Sequence, residues 1–195
     1  MPNKVKFNLK NVHYAKMTAT TANGTTTYTY EDPAAIPGAV SMSLSAESSN
    51  EPFYADGVVY YRAIANNGYS GDLEMALVPD AFRTDILNET LDGAKVLVEK
   101  ANSAEPNKFA LLFEFEGDSK CIRHVLYCCS AERPSIESST TEGSKKPVTE
   151  KLTITADPRS DGLVKGKTGD ETTTAVYDSW YESVHEPDES TTGTT

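Results

Sequence analysis

The stretch "ANNGYSGDLEMALVPDAF", Ala65 to Phe82, decides how the chain is read. Gly68-Tyr69-Ser70-Gly71-Asp72 resembles the elbow that presents a catalytic serine, G-x-S-x-G, but its last glycine is displaced. An elbow also follows a strand and opens a helix, whereas Ser70 precedes the apolar run Leu73–Val78. The segment therefore reads as scaffold. "VVYYRAIA" and "YSGDLEMALV" are predicted strands on either side of a turn at Asn66-Asn67-Gly68. Pro79 and Asp80 then stop the strand and open a short helix, with Phe82, Ile86 and Leu87 on its apolar stripe.

The same pattern extends in both directions. Val, Ile, Thr and Tyr runs are broken by Gly, Asn, Asp and Pro, which is a β-rich signature. "FNLKNVHYAKMT" is the predicted first strand, and Asn23-Gly24 marks a hairpin tip in the Thr-rich run after it. "GAVSMSLSA" alternates Val40, Met42 and Leu44 with serines, as a half-buried strand does. "ESSNEPFYADG" reads as a polar loop holding two aromatics. Further strands are expected at "AKVLVEKA", at "NKFALLFEFEG" with Phe109, Leu111, Phe113 and Phe115 on one face, at "CIRHVLYCCSAERP" and at "VTEKLTITADP". Between the last two, "SIESSTTEGSKKP" reads as a long polar loop. Tyr177, Trp180, Tyr181 and Val184 fall at helical spacing and predict a C-terminal amphipathic helix that ends at Pro187. The expectation is one α+β domain over residues 1–187, dominated by antiparallel sheet, with a disordered tail over 188–195.

Charge narrows the partners. The chain has 195 residues and a formal net charge of −11. An acidic excess argues against a grip on nucleic acid or on an anionic membrane. The N-terminal run lacks an apolar core and a cleavage site, so no signal peptide is expected. Three cysteines, Cys121, Cys128 and Cys129, do not suggest a disulfide framework.

Other chemical motifs fail on spacing. On a strand, Cys128 and Cys129 point to opposite faces, and His124 lies on the Cys128 side about 13 Å away. Zinc ligands must converge to within ~2.3 Å of the ion. "GLVKGKTGD" lacks the first glycine of a phosphate loop, since Asp161 stands in its place. The Asp-Gly pairs at Asp56, Asp92 and Asp161 lack calcium-loop spacing and read as turns. No catalytic constellation remains and no cofactor or metal site is expected, so a structural or binding protein is anticipated over an enzyme.

Several stretches in order resemble the major tail protein of long, non-contractile bacteriophage tails of the siphophage type from Gram-positive hosts. They are "NKVKFNLKNVHYAK", "AIPGAVSMSLSAE", "PFYADGVVYY", "ANNGYSGDLEMALVPDAFRTDIL", "FALLFEFEGDSKCIRHVLYCCSAERP" and "LTITADPRSDGLVKGKTGD". The resemblance implies a tail-tube fold: two antiparallel sheets packed as a sandwich or barrel, with a flanking helix. It implies six subunits per ring, rings stacked into a virion tail tube, assembly in the host cytoplasm, and DNA passing through the lumen unbound. The partners it implies are further copies of the chain, a tape measure protein, a tail terminator and distal tail proteins. The lumen-facing acidic candidates are Asp72, Glu74, Glu114 and Glu116. The Ser45–Gly57 loop is expected to reach the next ring, with Phe53 and Tyr54 as its anchors. The competing expectation is a β-sandwich module that binds glycans or proteins through Phe53–Tyr61.

Overall fold

A computed structural model describes residues 3–102, 104–140 and 147–187. The tail at 188–195 and the middle of the polar loop, 141–146, lie outside the described residues. The chain is mainly β, with a large antiparallel sheet and a two-stranded ribbon.

The large sheet is built by β1 (Lys6–Ala22), β2 (Thr25–Tyr30), β3 (Ala34–Ala35), β4 (Ala39–Ala55) and β5 (Val58–Met75). After α1 (Asp80–Asp85) and the ribbon strands β6 (Thr90–Leu91) and β7 (Leu97–Val98), it continues with β8 (Phe109–Gly117), β9 (Ile122–Ala131), β10 (Glu150–Ala156) and β11 (Lys165–Lys167). The strand order is β2-β1-β8-β9-β10-β5-β4, with β3 added to β1 and β11 to β9. The two sheets expected from the resemblance are thus one continuous sheet. It rolls: β1 and β4, near opposite ends of the order, approach within 8 Å. Register shifts between Phe7 and Leu9 and between Lys10 and His13 accompany left-handed backbone at Asn8 (φ 22°) and Asn11 (φ 50°). Such bulges bend a strand and sharpen its twist.

The rolled sheet encloses the main core. Leu73 and Met75 of β5, Leu152 and Ile154 of β10, and Phe109, Leu111 and Phe113 of β8 meet there. The short helix closes it, with Phe82, Ile86 and Leu87 each fully buried. Burying each such side chain contributes roughly 1.5–3 kcal/mol. Glu150 anchors the helix start, accepting from the Val78 N–H at 2.6 Å and from Arg83 at 3.2 Å.

A second core lies on the outside of β1, β8 and β9, where Ala15, Leu112, Val125 and Tyr127 meet Trp180. The C-terminal helix covering it is shorter than its periodicity suggests. It comprises α2 (Thr174–Asp178) and a 3₁₀ turn, Ser179–Tyr181. The Ser179 hydroxyl bonds back to the Ala175 carbonyl at 2.9 Å, a local competitor that bends and weakens helices.

Three further expectations are corrected. Asn66-Asn67-Gly68 is no chain reversal, because β5 runs through it and carries one extra residue there against β4. The predicted loop Ser45–Gly57 is strand up to Ala55, and β4 and β5 are joined by the tight turn Asp56-Gly57, with φ of 52° and 78°. Two consecutive left-handed residues suit the two-residue hairpin turn that follows strand twist. "AKVLVEKA" supplies only the ribbon strand β7, because Asp92 caps a turn by accepting from the N–H groups of Ala94 and Val96. The Asn23-Gly24 hairpin between β1 and β2 forms as expected.

Candidate assembly surface

Beyond Tyr69, β5 loses β10 as a neighbour, and only the β4–β5 pair continues to the Asp56-Gly57 turn. This two-stranded arm projects roughly 30 Å at the usual strand rise. At its root, Asn66 Oδ1 accepts from the Gly68 N–H at 3.1 Å and shapes the bulge. Gly68 has φ +98°, and a Cβ there would sit 1.9 Å from the Ala156 carbonyl oxygen. The root is therefore built around a residue without a side chain.

The arm is apolar yet bare. Phe53, Tyr54, Val58, Tyr60, Tyr61 and Ile64 are each 60–73% exposed. Register places Phe53 opposite Tyr61 and Tyr54 opposite Val59. Adjacent residues of a strand point to opposite sides, so both sides of the arm carry aromatic surface. A lone two-stranded hairpin is marginal in water, and long apolar edges seek partners.

The four acidic candidates do not share one surface. Asp72 and Glu74 alternate with buried Leu73 and Met75, which puts them on the outer face of β5. That face is polar: Asp72 accepts from Thr153 Oγ1 and Lys151 Nζ, both at 3.2 Å. Glu74 accepts from the hydroxyls of Thr149 and Ser41, which hold its carboxyl below the usual range. Glu116 is lowered likewise by hydrogen bonds from Asn8 and Lys10. Glu114 is 4% exposed and lies beneath the C-terminal helix, where Tyr181 donates to it at 3.3 Å.

Ser70 is an outer-face strand residue, its hydroxyl donating to the Glu47 carboxylate. In β9 a bulge near Tyr127 resets the alternation. His124 and Cys129 consequently both face the main core, which corrects the predicted sharing of a face by His124 and Cys128. Burial pushes the Cys128 and Cys129 thiols up, as befits packed rather than reactive sulfur. Among the described residues no group of His, Cys, Asp or Glu could hold a metal ion, and no helix is long and apolar enough to cross a membrane.

Sequence reasoning missed the arm. Its signal was present in Asp56-Gly57, a strong hairpin-turn pair flanked by "NEPFYA" and "VVYYRAI". No protein-family model and no curated protein matches this chain.

Proposed function

We propose that this chain is a self-assembling structural subunit, the tail-tube protein of a long, non-contractile bacteriophage tail, stacked as hexameric rings. The observation that carries the reading is the β4–β5 arm, a roughly 30 Å hairpin with six large apolar side chains at 60–73% exposure. An exposed apolar patch of that kind marks an interaction site. The ordered stretches that resemble tail proteins favour further copies of the chain as the partner.

Charge agrees with a conduit for DNA. Six copies at −11 carry a formal −66. Phosphate affinity grows with each basic contact, so a lumen poor in unpaired cations lets the duplex slide. The outer face of β4, β5 and β10 suits that lining, with Ser41, Ser43, Ser70, Asp72, Glu74 and Thr153 on it. The proposed role needs no catalytic step. The rolled sheet is the building block, the arm reaches into the neighbouring ring, and Phe53 and Tyr54 are its anchors.

The same exposed aromatics favour a second reading, a glycan- or protein-binding module. Negative-stain microscopy and sedimentation of the purified chain separate the two. Rings or tubes support the tail reading. A monomer at every concentration and salt, with or without tail-initiation components, overturns it. Phe53→Ala with Tyr54→Ala is expected to give a folded subunit that fails to stack.

A further inference from the structure

At the root of the arm the rolled sheet leaves a cleft of about 370 Å³. Met42 and Leu44 of β4 form one wall, and Phe113 and Phe115 of β8 form the other. His124 belongs to the second wall, its ring stacked on Phe113 at 5.1 Å between centroids. Lys6 and Lys165 stand at the rim, and no acidic side chain among the described residues lines the cleft. Lys167 faces His124 across β11 and β9, and both rim lysines and Lys167 act electrostatically on that imidazole. None of the three lysines is ion-paired among the described residues. Lys165 donates to the Tyr69 hydroxyl at 2.6 Å and Lys6 lies 4.8 Å over the Phe115 ring, but neither meets a carboxylate among the described residues, so in a chain at −11 this is a local concentration of positive charge beside an apolar floor.

The arm has the complementary character. From 47 to 66 it carries Glu47, Glu51 and Asp56 against a single cation, Arg62. Glu51 and Asp56 bracket Phe53 and Tyr54 and are not ion-paired among the described residues. The tip stands roughly 30 Å from the cleft of its own subunit. It therefore cannot fill that cleft, but the tip of another copy can.

We infer that the cleft bounded by Met42, Leu44, Phe113 and Phe115 is the receptor for the acidic, aromatic arm tip of a second copy of the chain. The inference rests on the tube reading and adds to it the site where the arm lands. Phe53 or Tyr54 enters the apolar floor, while Glu51 and Asp56 meet Lys6 and Lys165. Tip-to-root contact is heterologous: each copy gives an arm and receives one. Such contacts propagate into rings or filaments and do not stop at a pair.

The test is charge reversal with rescue. Lys6 and Lys165 are exposed, so Lys6→Glu with Lys165→Glu is expected to keep the parent's circular dichroism and melting temperature. Placing four acids face to face should raise the concentration needed for assembly about 100-fold or more. Glu51→Lys with Asp56→Lys should fail to assemble in the same way. An equimolar mixture of the two variants restores opposite charges at every arm–cleft contact and is expected to assemble. If the parent assembles and the cleft variant assembles as readily, or if the mixture stays monomeric, the arm lands elsewhere and the inference falls while the tube reading stands. If the parent itself never assembles, the tube reading falls and takes the inference with it.

Discussion

Arg123 Nε donates to Glu114 Oε2 at 3.1 Å, and the two side chains are only 17% and 5% exposed. The pair is pinned from both sides: Asn11 Nδ2 donates to the carboxylate at 2.8 Å, and the guanidinium stacks 3.8 Å from the Tyr177 ring centroid. Arg123 also donates to the Tyr177 carbonyl, so it ties β9 to the C-terminal helix.

Breaking this pair from one side should be costly. Glu114→Ala leaves a guanidinium uncompensated beneath the helix, and loss of one partner of a buried pair costs about 3–5 kcal/mol. Glu114→Gln retains an acceptor for Asn11 and should cost less. Urea unfolding of both variants checks the order. A midpoint for Glu114→Ala equal to the parent's would show that solvent already screens the pair.

The helix on the other side of this joint depends on one side chain. Trp180 is 3% exposed in the second core, and its Nε1 donates to the His124 carbonyl at 3.4 Å. Trp180→Ala should cost about 3–5 kcal/mol, since it removes a large buried ring and leaves a cavity. That is a large share of the stability of a typical domain. A thermal melt within a degree or two of the parent's would mean that the helix is not needed to hold β1, β8 and β9.

The pH dependence centres on His124. Burial first, and then Lys167, Lys165 and Lys6, lower its imidazole to about 4 from the ordinary 6.5. The unfolded chain therefore takes up a proton at this position at higher pH than the folded one does. Where the unfolded state binds more protons, stability rises with pH. His124 thus contributes stability above about pH 6.5 that is lost as pH falls toward 4, at most about 3 kcal/mol at about 1.36 kcal/mol per pKa unit, and less to the extent that water screens the half-buried ring. His124→Phe should flatten that part of the curve. A variant whose unfolding free energy falls as steeply as the parent's between pH 6.5 and 4 would assign the effect to other groups.

What the sequence made legible follows from how local the signal is. The alternation that puts Phe109, Leu111, Phe113 and Phe115 on one face of a strand reads correctly, because that face packs into the main core. The stripe of Phe82, Ile86 and Leu87 reads correctly for the same reason. Asn66-Asn67-Gly68 misleads because a turn and a bulge make the same local demand, a backbone free to adopt positive φ, and only β4, paired on both sides of it, decides between them. The arm misleads further. Its Glu and Ser residues read as a loop because polar strands without a core face have no hydrophobic period. Glu114 looks like any strand acid until the C-terminal helix, distant in sequence, is seen lying over it.

The two glycines of the arm separate strain from collision. Gly57 at the tip has φ +78° and open space around a hypothetical Cβ. Gly57→Ala should therefore cost only the backbone penalty of a left-handed residue, about 1–2 kcal/mol. Much of that is local to a segment with few contacts, so the body should melt nearly as the parent does. Gly68 at the root combines φ +98° with an Ala156 carbonyl oxygen 1.9 Å from where the Cβ would sit. Backbone lies on both sides of that contact, so no rotamer change relieves it. Gly68→Ala must push β10 away from β5 or straighten the bulge, and either change loosens strands that carry Leu152 and Ile154 into the main core. It should destabilise the whole domain more than Gly57→Ala does, and it should redirect the arm, so that assembly fails even in molecules that stay folded. Paired thermal melts and negative-stain images of the two variants decide the matter. Equal melting temperatures together with normal tubes from Gly68→Ala would show that the bulge neither supports the sheet nor aims the arm.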